Sequence, residues 1–216
     1  KVVYRHPATW GGYQADMQRG AYDLVFDGPH FVGWRIEKAG HHVLVKLPGV
    51  FTYTAVVRKD DMRFTSMQKL FGRRFCAHPP PNLGTLIMFS EFENPSRQPS
   101  LFVVDGYREI YDALLARKCD AAMLPLQHAH KFDPKGEHTR IIFQNQPMPQ
   151  QALTAGPRVN AVERKKINDA LLLSPSAKEP LKYVREDYGL GKEFVPATDE
   201  EYKGQGKYLR GIQGFY

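Results

Sequence analysis

The segment HPPPNLGTLIM, His78 to Met88, holds the residue types and order best suited to recognition chemistry. A proline-rich loop ends at Asn82, and Gly84 and Thr85 open an apolar run of helical length. Backbone N–H groups at a helix start, joined by hydroxyl donors, hold anions. Asn82, Gly84 and Thr85 are therefore candidate ligand contacts, although the same residues equally describe a plain capped helix. Proline lacks an N–H and leucine a side-chain donor, so Pro81 and Leu83 leave this cradle sparse. His128 and His130 in LQHAHKF would share a face only on a strand, whereas the stretch reads as helical, and no Cys or Glu completes a ligand set at a recognised spacing. No metal site and no cofactor is expected. Neither Cys76 nor Cys119 stands in a context that marks a nucleophile, so no catalytic residue is singled out. Cys76 reads as ending a strand and Cys119 as beginning one. In parallel neighbours those ends lie on opposite sides of the sheet, which predicts no bridge between them.

The elements that must position these residues alternate between strands and helices. The first part reads as strand (KVVYR), helix (Thr9 to Arg19), strand (YDLVF), helix (Pro29 to Ala39), then two extended runs, HVLVKL and YTAVVR. Gly20 and Gly40 occupy helix C-terminal stops, and Gly28-Pro29 opens the second helix. The pattern restarts after RKDDMRF with a short helix around Met67 and Leu70, the strand RRFCA, the helix after the HPPPN loop, and a strand-helix-strand unit, FVVDGYREIYDALLARKCDAAMLP. After QPMPQQ, the strand ALTAG begins a return. Two helices follow, with Asn160/Glu163 and Ser176/Glu179 at capping-box spacing. A chain that leaves one lobe, builds another and comes back needs two crossing strands. YTAVVRKDD outward and NQPMPQQALTA back predict one lobe from residues 1–57 and 149–216 and a second from 58–148, with the ligand in the cleft between them. One continuous doubly wound sheet is the alternative.

With 216 residues, 42% hydrophobic and 25% charged, the chain has an ordinary globular composition. Its net charge of +7 is dispersed, and the densest group, Arg164-Lys165-Lys166, falls on a helix surface, so a nucleic-acid partner is not expected. No apolar run approaches the roughly 20 residues of a membrane span. KVVYRHPATW lacks the apolar core of a signal peptide and reads as the middle of a domain.

Five pieces in order, RGAYDLVFDGPHFV, YTAVVRKDD, VVDGYREIYDALLARKCDAAMLP, QPMPQQALTAGP and FVPATDEEY, resemble the phosphate, phosphite and phosphonate-binding periplasmic proteins of ABC transporters. The resemblance covers most of the chain and implies an α/β, two-lobed type 2 periplasmic-binding-protein fold with mostly parallel sheets and two hinge strands. It also implies that a strand and a helix of the family precede the position of Lys1. The implied function is capture of a small polar or anionic ligand, without chemistry, and its delivery to a membrane permease in the periplasm or another extracytoplasmic space. An extracytoplasmic sensing domain of a signalling protein is the alternative, followed by a biosynthetic enzyme on the same fold, whose thiamine-precursor members use a Cys-rich motif that this chain lacks.

The resemblance also points to site residues. Asp27 stands where phosphonate binders carry an aromatic, and an ionised acid there opposes a bare phosphate. Tyr107 stands where the family often has a histidine. Gln127 and Gln151 replace the carboxylates that hold an aminoalkyl group in one branch, which disfavours aminoalkylphosphonates. Phe51 and Tyr53 on the outward crossing, and Trp10, are further candidates for lining the site, each equally suited to a core.

Overall fold

Capping chemistry sets the boundaries of the first elements. Thr9 caps α1 (Trp10–Gln18) by accepting from the Gly12 N–H. Strand β1 (Leu24–Asp27) runs into Gly28-Pro29, the start of α2 (Pro29–Ala39), which ends at Gly40 in the left-handed region. Strand β2 (His42–Lys46) follows. The computed structural model describes residues 3–5, 7–189 and 191–215, and the chain divides into two units, Lys1–Val50 with Pro149–Tyr216, and Phe51–Met148. The two-residue strands β3 (Val50–Phe51) and β9 (Met148–Pro149), where the chain passes from one unit to the other, pair with each other.

The second unit contains β4 (Tyr53–Arg58), β5 (Arg74–Ala77), α3 (Leu83–Ser90), β6 (Ser100–Val103), α4 (Tyr107–Leu115), β7 (Ala121–Pro125), α5 (Leu126–Phe132) and β8 (Thr139–Gln144). Its sheet has the order β6-β5-β7-β4-β8; the first three strands are parallel, and β4 is antiparallel to β7 and β8. Helix α4 buries Ile110, Tyr111 and Leu114 against Val56, Cys76, Ala122 and Leu124.

The first unit is completed by β10 (Ala152–Ala155), α6 (Ala161–Leu173), α7 (Pro175–Lys178), α8 (Lys182–Gly189), β11 (Val195–Pro196) and 3-10 turns at Asp199–Tyr202 and Gln205–Leu209. Its sheet order is β1-β10-β2-β11, antiparallel throughout. One face packs Leu44, Leu153, Leu171 and Phe194, and another cluster joins Val32, Val43, Ala152 and Tyr202. Helix α2 lies so close to the C-terminal turns that a Cβ on Gly33 would come within 2.7 Å of the Tyr202 carbonyl oxygen and the Gly206 nitrogen.

Several expectations need correcting. Neither sheet is mostly parallel: the second unit's is mixed, and in the first unit the returning β10 inserts between β1 and β2 and runs against both. Tyr53–Arg58, expected to close the first lobe, is an inner strand of the second unit's sheet. The expected strand KVVYR does not form over Val3–Arg5, which pair with no strand among the described residues and stay exposed; Lys1 and Val2 lie outside those residues. The capping box at Asn160 and Glu163 is present. The one at Ser176 and Glu179 is not, because α7 already begins at Pro175 after Ser174, whose hydroxyl pairs with that of Ser176.

The clearest correction is a disulfide between Cys76 and Cys119, with Cα atoms 5.7 Å apart. Cys119 does not open a strand. It lies in the turn between α4 and β7, and the guanidinium of Arg58 grips that turn by donating to the carbonyls of Leu114 and Cys119. Both sulfurs thus meet in the core beneath α4.

Asp27 also has a role that its sequence context hides. Arg35, on the buried face of α2 with its side chain 1% exposed, donates through Nε to Asp27 Oδ2 at 2.9 Å. The Tyr13 hydroxyl lies 2.5 Å from both carboxylate oxygens and accepts from Arg35 Nη2 at 2.9 Å. Burial raises the Asp27 pKa, while Arg35 and then Tyr13 oppose that rise. Burial lowers the Arg35 pKa, but Asp27 and Tyr13 raise it by more. The acid is therefore the internal counter-charge of a buried guanidinium.

Two stability predictions follow from these cross-links. Closing the loop between cysteines 43 residues apart contributes about 4 kcal/mol at 25 °C in the chain-entropy model. The Cys76→Ala/Cys119→Ala double variant is expected to lose roughly 2–4 kcal/mol in urea unfolding, and an unchanged midpoint would contradict the bridge. Asp27→Asn strands Arg35 without its partner, a type of change that costs about 3–5 kcal/mol. Unfolding of that variant within about 1 kcal/mol of the wild type, the range of a surface pair, would show that the ion pair is dispensable.

Candidate functional site

In the second unit, chain direction gathers polar side chains at one end of the sheet. Strands β5, β6 and β7 finish there, and antiparallel β4 begins there, with Tyr53 opposite Pro125 in the register. After β5 the chain passes through α3 to β6 on one side, and after β6 it passes through α4 to β7 on the other. Such a reversal at strand C-terminal ends is where open α/β sheets place ligands. The residues that follow these strand ends are His78 to Gly84, Asp105 to Tyr107, and Gln127 with His128.

Asn82 caps α3, its Oδ1 accepting from the Gly84 N–H at 2.9 Å. The Tyr53 ring lies directly on this helix start: a Cβ on Gly84 would fall 2.5 Å from Tyr53 Cε1 and 2.9 Å from Met123 Cγ. Glycine is thus required for the ring to occupy that place. The hydroxyls of Tyr53 and Tyr107 are 2.7 Å apart. Burial and then Tyr107 raise the Tyr53 pKa well above the usual phenol range, outweighing the hydrogen bonds from Asn82 and the Gly84 backbone, so the hydroxyl remains a proton donor. Phe51 is buried and meets the Tyr53 ring edge-on at 5.2 Å.

Two histidines hold the Tyr107 ring. His128 stacks on it at 4.9 Å and 28°, and His78 meets it edge-on at 4.8 Å. His78 Nδ1 is 3.5 Å from Asp105 Oδ1. Burial lowers the pKa of both imidazoles; Asp105 and Glu109 oppose this at His78, and Lys131 reinforces it at His128.

The sequence-derived candidates thus separate. Tyr53, Asn82, Gly84 and Tyr107 come together, with Phe51 behind them. Thr85 is fully buried and donates its hydroxyl to the His78 carbonyl at 2.5 Å, which fixes the loop that precedes α3. Gln127 lies partly buried on α5. Asp27 and Gln151 belong to the other unit. Asp27 is engaged by Arg35, so the free, repelling carboxylate expected there is absent, and Gln151 Oε1 is buried with no hydrogen-bond partner among the described residues. Trp10 is half-exposed and stacks on Phe31 at 6.1 Å and 21°.

The sequence alone gave no ligand-site role to His78, His128 or Arg35. The signal for His128 was its place just beyond the strand AAMLP; for Arg35 it was its position four residues after Phe31, on the apolar face of α2. Among the described residues, no group of three or more His, Cys, Asp or Glu is arranged to hold a metal ion, and no helix is long and apolar enough to cross a membrane.

Comparison with known proteins agrees with this architecture. XAC2383 from Xanthomonas citri bound to ATP superposes with a TM-score of 0.71 at 15% identity, over 94% of this chain and 82% of that one. PhnD1 from Prochlorococcus marinus in complex with methylphosphonate gives 0.66 at 16% identity, over 94% and 82%. A binding-protein component of an ABC phosphonate transporter from Pseudomonas aeruginosa gives 0.63 at 11%, over 92% and 71%. These structures share the two-lobed α/β fold of periplasmic binding proteins. No curated protein shows a significant sequence match. The family model for the phosphonate periplasmic substrate-binding proteins of ABC transporters matches residues 1–202, and the chain belongs to that family of solute-binding proteins, which are not enzymes.

Proposed function

We propose that this protein captures a small phosphorus oxyanion, such as phosphate, phosphite or an alkylphosphonate, outside the cytoplasm and presents it to the membrane permease of an ABC importer. The observation that carries this reading is the convergence of the Tyr53 and Tyr107 hydroxyls on the α3 start at Gly84, at the strand C-terminal ends of the second unit. Phenolic O–H and helix-start N–H groups suit tetrahedral anions, whose oxygens accept several hydrogen bonds at once. The buried Cys76–Cys119 bridge supports an oxidising compartment. Gln127 carries no charge, so an aminoalkylphosphonate finds no carboxylate in it for its amine.

Thermal-shift screening against inorganic phosphate, phosphite, methylphosphonate, 2-aminoethylphosphonate and sulfate tests the reading, because ligand at 100 times its Kd adds about 2.7 kcal/mol of stability. Phosphate, phosphite or methylphosphonate is expected to stabilise the protein, and 2-aminoethylphosphonate to do so least. Tyr107→Phe keeps the ring between its histidines but removes one hydroxyl. A hydrogen bond to a charged group is worth about 1.5–3 kcal/mol, so the best ligand should bind this variant roughly ten- to a hundredfold more weakly. Gly84→Ala, which displaces Tyr53 from the helix start, should weaken binding in the same direction. Calorimetric Kd values for both variants equal to the wild type would place the ligand elsewhere.

A further inference from the structure

We propose that the second unit takes up a proton together with its anion, with His128 receiving the proton and His78 assisting across the Tyr107 ring. This rests on the anion-capturing reading above and adds a charge to it. His128 backs the ring whose hydroxyl meets Tyr53, and it also touches Phe132 at 5.6 Å between ring centroids. Its Nδ1 is buried and has no hydrogen-bond partner among the described residues, so the imidazole is committed to no structural bond at that atom. His78 meets the same Tyr107 ring edge-on.

The charged and titratable surroundings explain why the ligand-free imidazole stays neutral. On its own helix, Lys131 disfavours a second cation. From α4, Arg108 lies 5.4 Å from the Phe132 ring that His128 touches, and Tyr111 packs on the same ring. From β4 comes the un-ionised Tyr53, from the loop before α4 comes Asp105, and from the first turn of α4 comes Glu109; the pull of both acids falls on His78. Burial and then Lys131 therefore hold His128 below the ordinary histidine range before an anion binds. An anion brought to within about 4–6 Å reverses the balance, since it stabilises imidazolium and gains a full charge in return. The coupling is reciprocal: if the anion raises the His128 pKa by about one unit, protonation tightens the anion about tenfold. Affinity then rises as pH falls from the bound-state pKa to the lower free-state pKa, and is flat beyond either limit.

Calorimetric titration of inorganic phosphate and methylphosphonate into wild type and His128→Phe, from pH 8 to pH 5, tests this. Phenylalanine preserves the stack on Tyr107 but cannot take a proton, and the ligand's own ionisation cancels in the ratio of the two Kd values. That ratio is expected to grow about tenfold in favour of the wild type as pH falls. In parallel, NMR of the wild-type histidine rings is expected to show the His128 pKa rising by about one unit on saturation with the anion, which decides the matter even if the variant fails to fold. A pH-independent ratio, or an unmoved His128 pKa in the saturated protein, overturns the proton coupling and leaves anion capture standing. Absence of binding of either anion by the wild type at every pH overturns both.

Discussion

The direction of a single strand controls the second unit's candidate site. Strand β4 runs against β7, so Tyr53 starts at the sheet end where β5, β6 and β7 finish. A parallel β4 of the same six residues would carry Tyr53 to the far end, about 17 Å away at the usual rise per residue. Both neighbours pin its register, with Tyr53 opposite Pro125 on one side and Thr54 opposite Gln144 on the other, and all six residues are buried. A one-residue slip would turn Tyr53 away from Gly84, because side chains alternate between faces. The open Cα face of Gly84 is the complement of that register, as it is the surface on which the Tyr53 ring rests.

The chemistry that results differs from a site built on fixed cations. The donors of the proposed site are phenol hydroxyls, an amide and a helix start, all neutral, so the protein need not bury an unpaired positive charge there. In the other unit the opposite solution appears: Arg35 is buried as a cation and meets Asp27 and Tyr13 within the same unit. That pairing commits Asp27 to the architecture of the β1–α2 corner and removes it as an uncompensated charge against an anion.

Local chemistry made much of this fold legible. The Gly28-Pro29 start and Gly40 stop delimit α2, and the Asn160/Glu163 box opens α6, because each depends on groups a few residues apart. The loop before Gly84 could likewise be read as a helix start suited to anions. What the sequence did not disclose was set by distant pairing. Strand direction follows from β10 inserting between β1 and β2, and the Cys76–Cys119 bridge follows from the way Arg58 draws in the turn before β7. Thr85 looked like a ligand donor because its partner is a carbonyl seven residues back. His128 looked like a rejected metal ligand because nothing local links it to Tyr107.

The most direct test of the account is a backbone-amide NMR titration of the whole protein with methylphosphonate. The neutral-donor site predicts that, within residues 51–148, the largest shift changes fall on Tyr53, Asn82 to Thr85 and Asp105 to Tyr107, the segments that meet at the strand ends. Saturable binding whose changes in those residues centre elsewhere, such as the Asp60 to Arg63 turn, with Gly84 and Tyr107 unmoved, would contradict it.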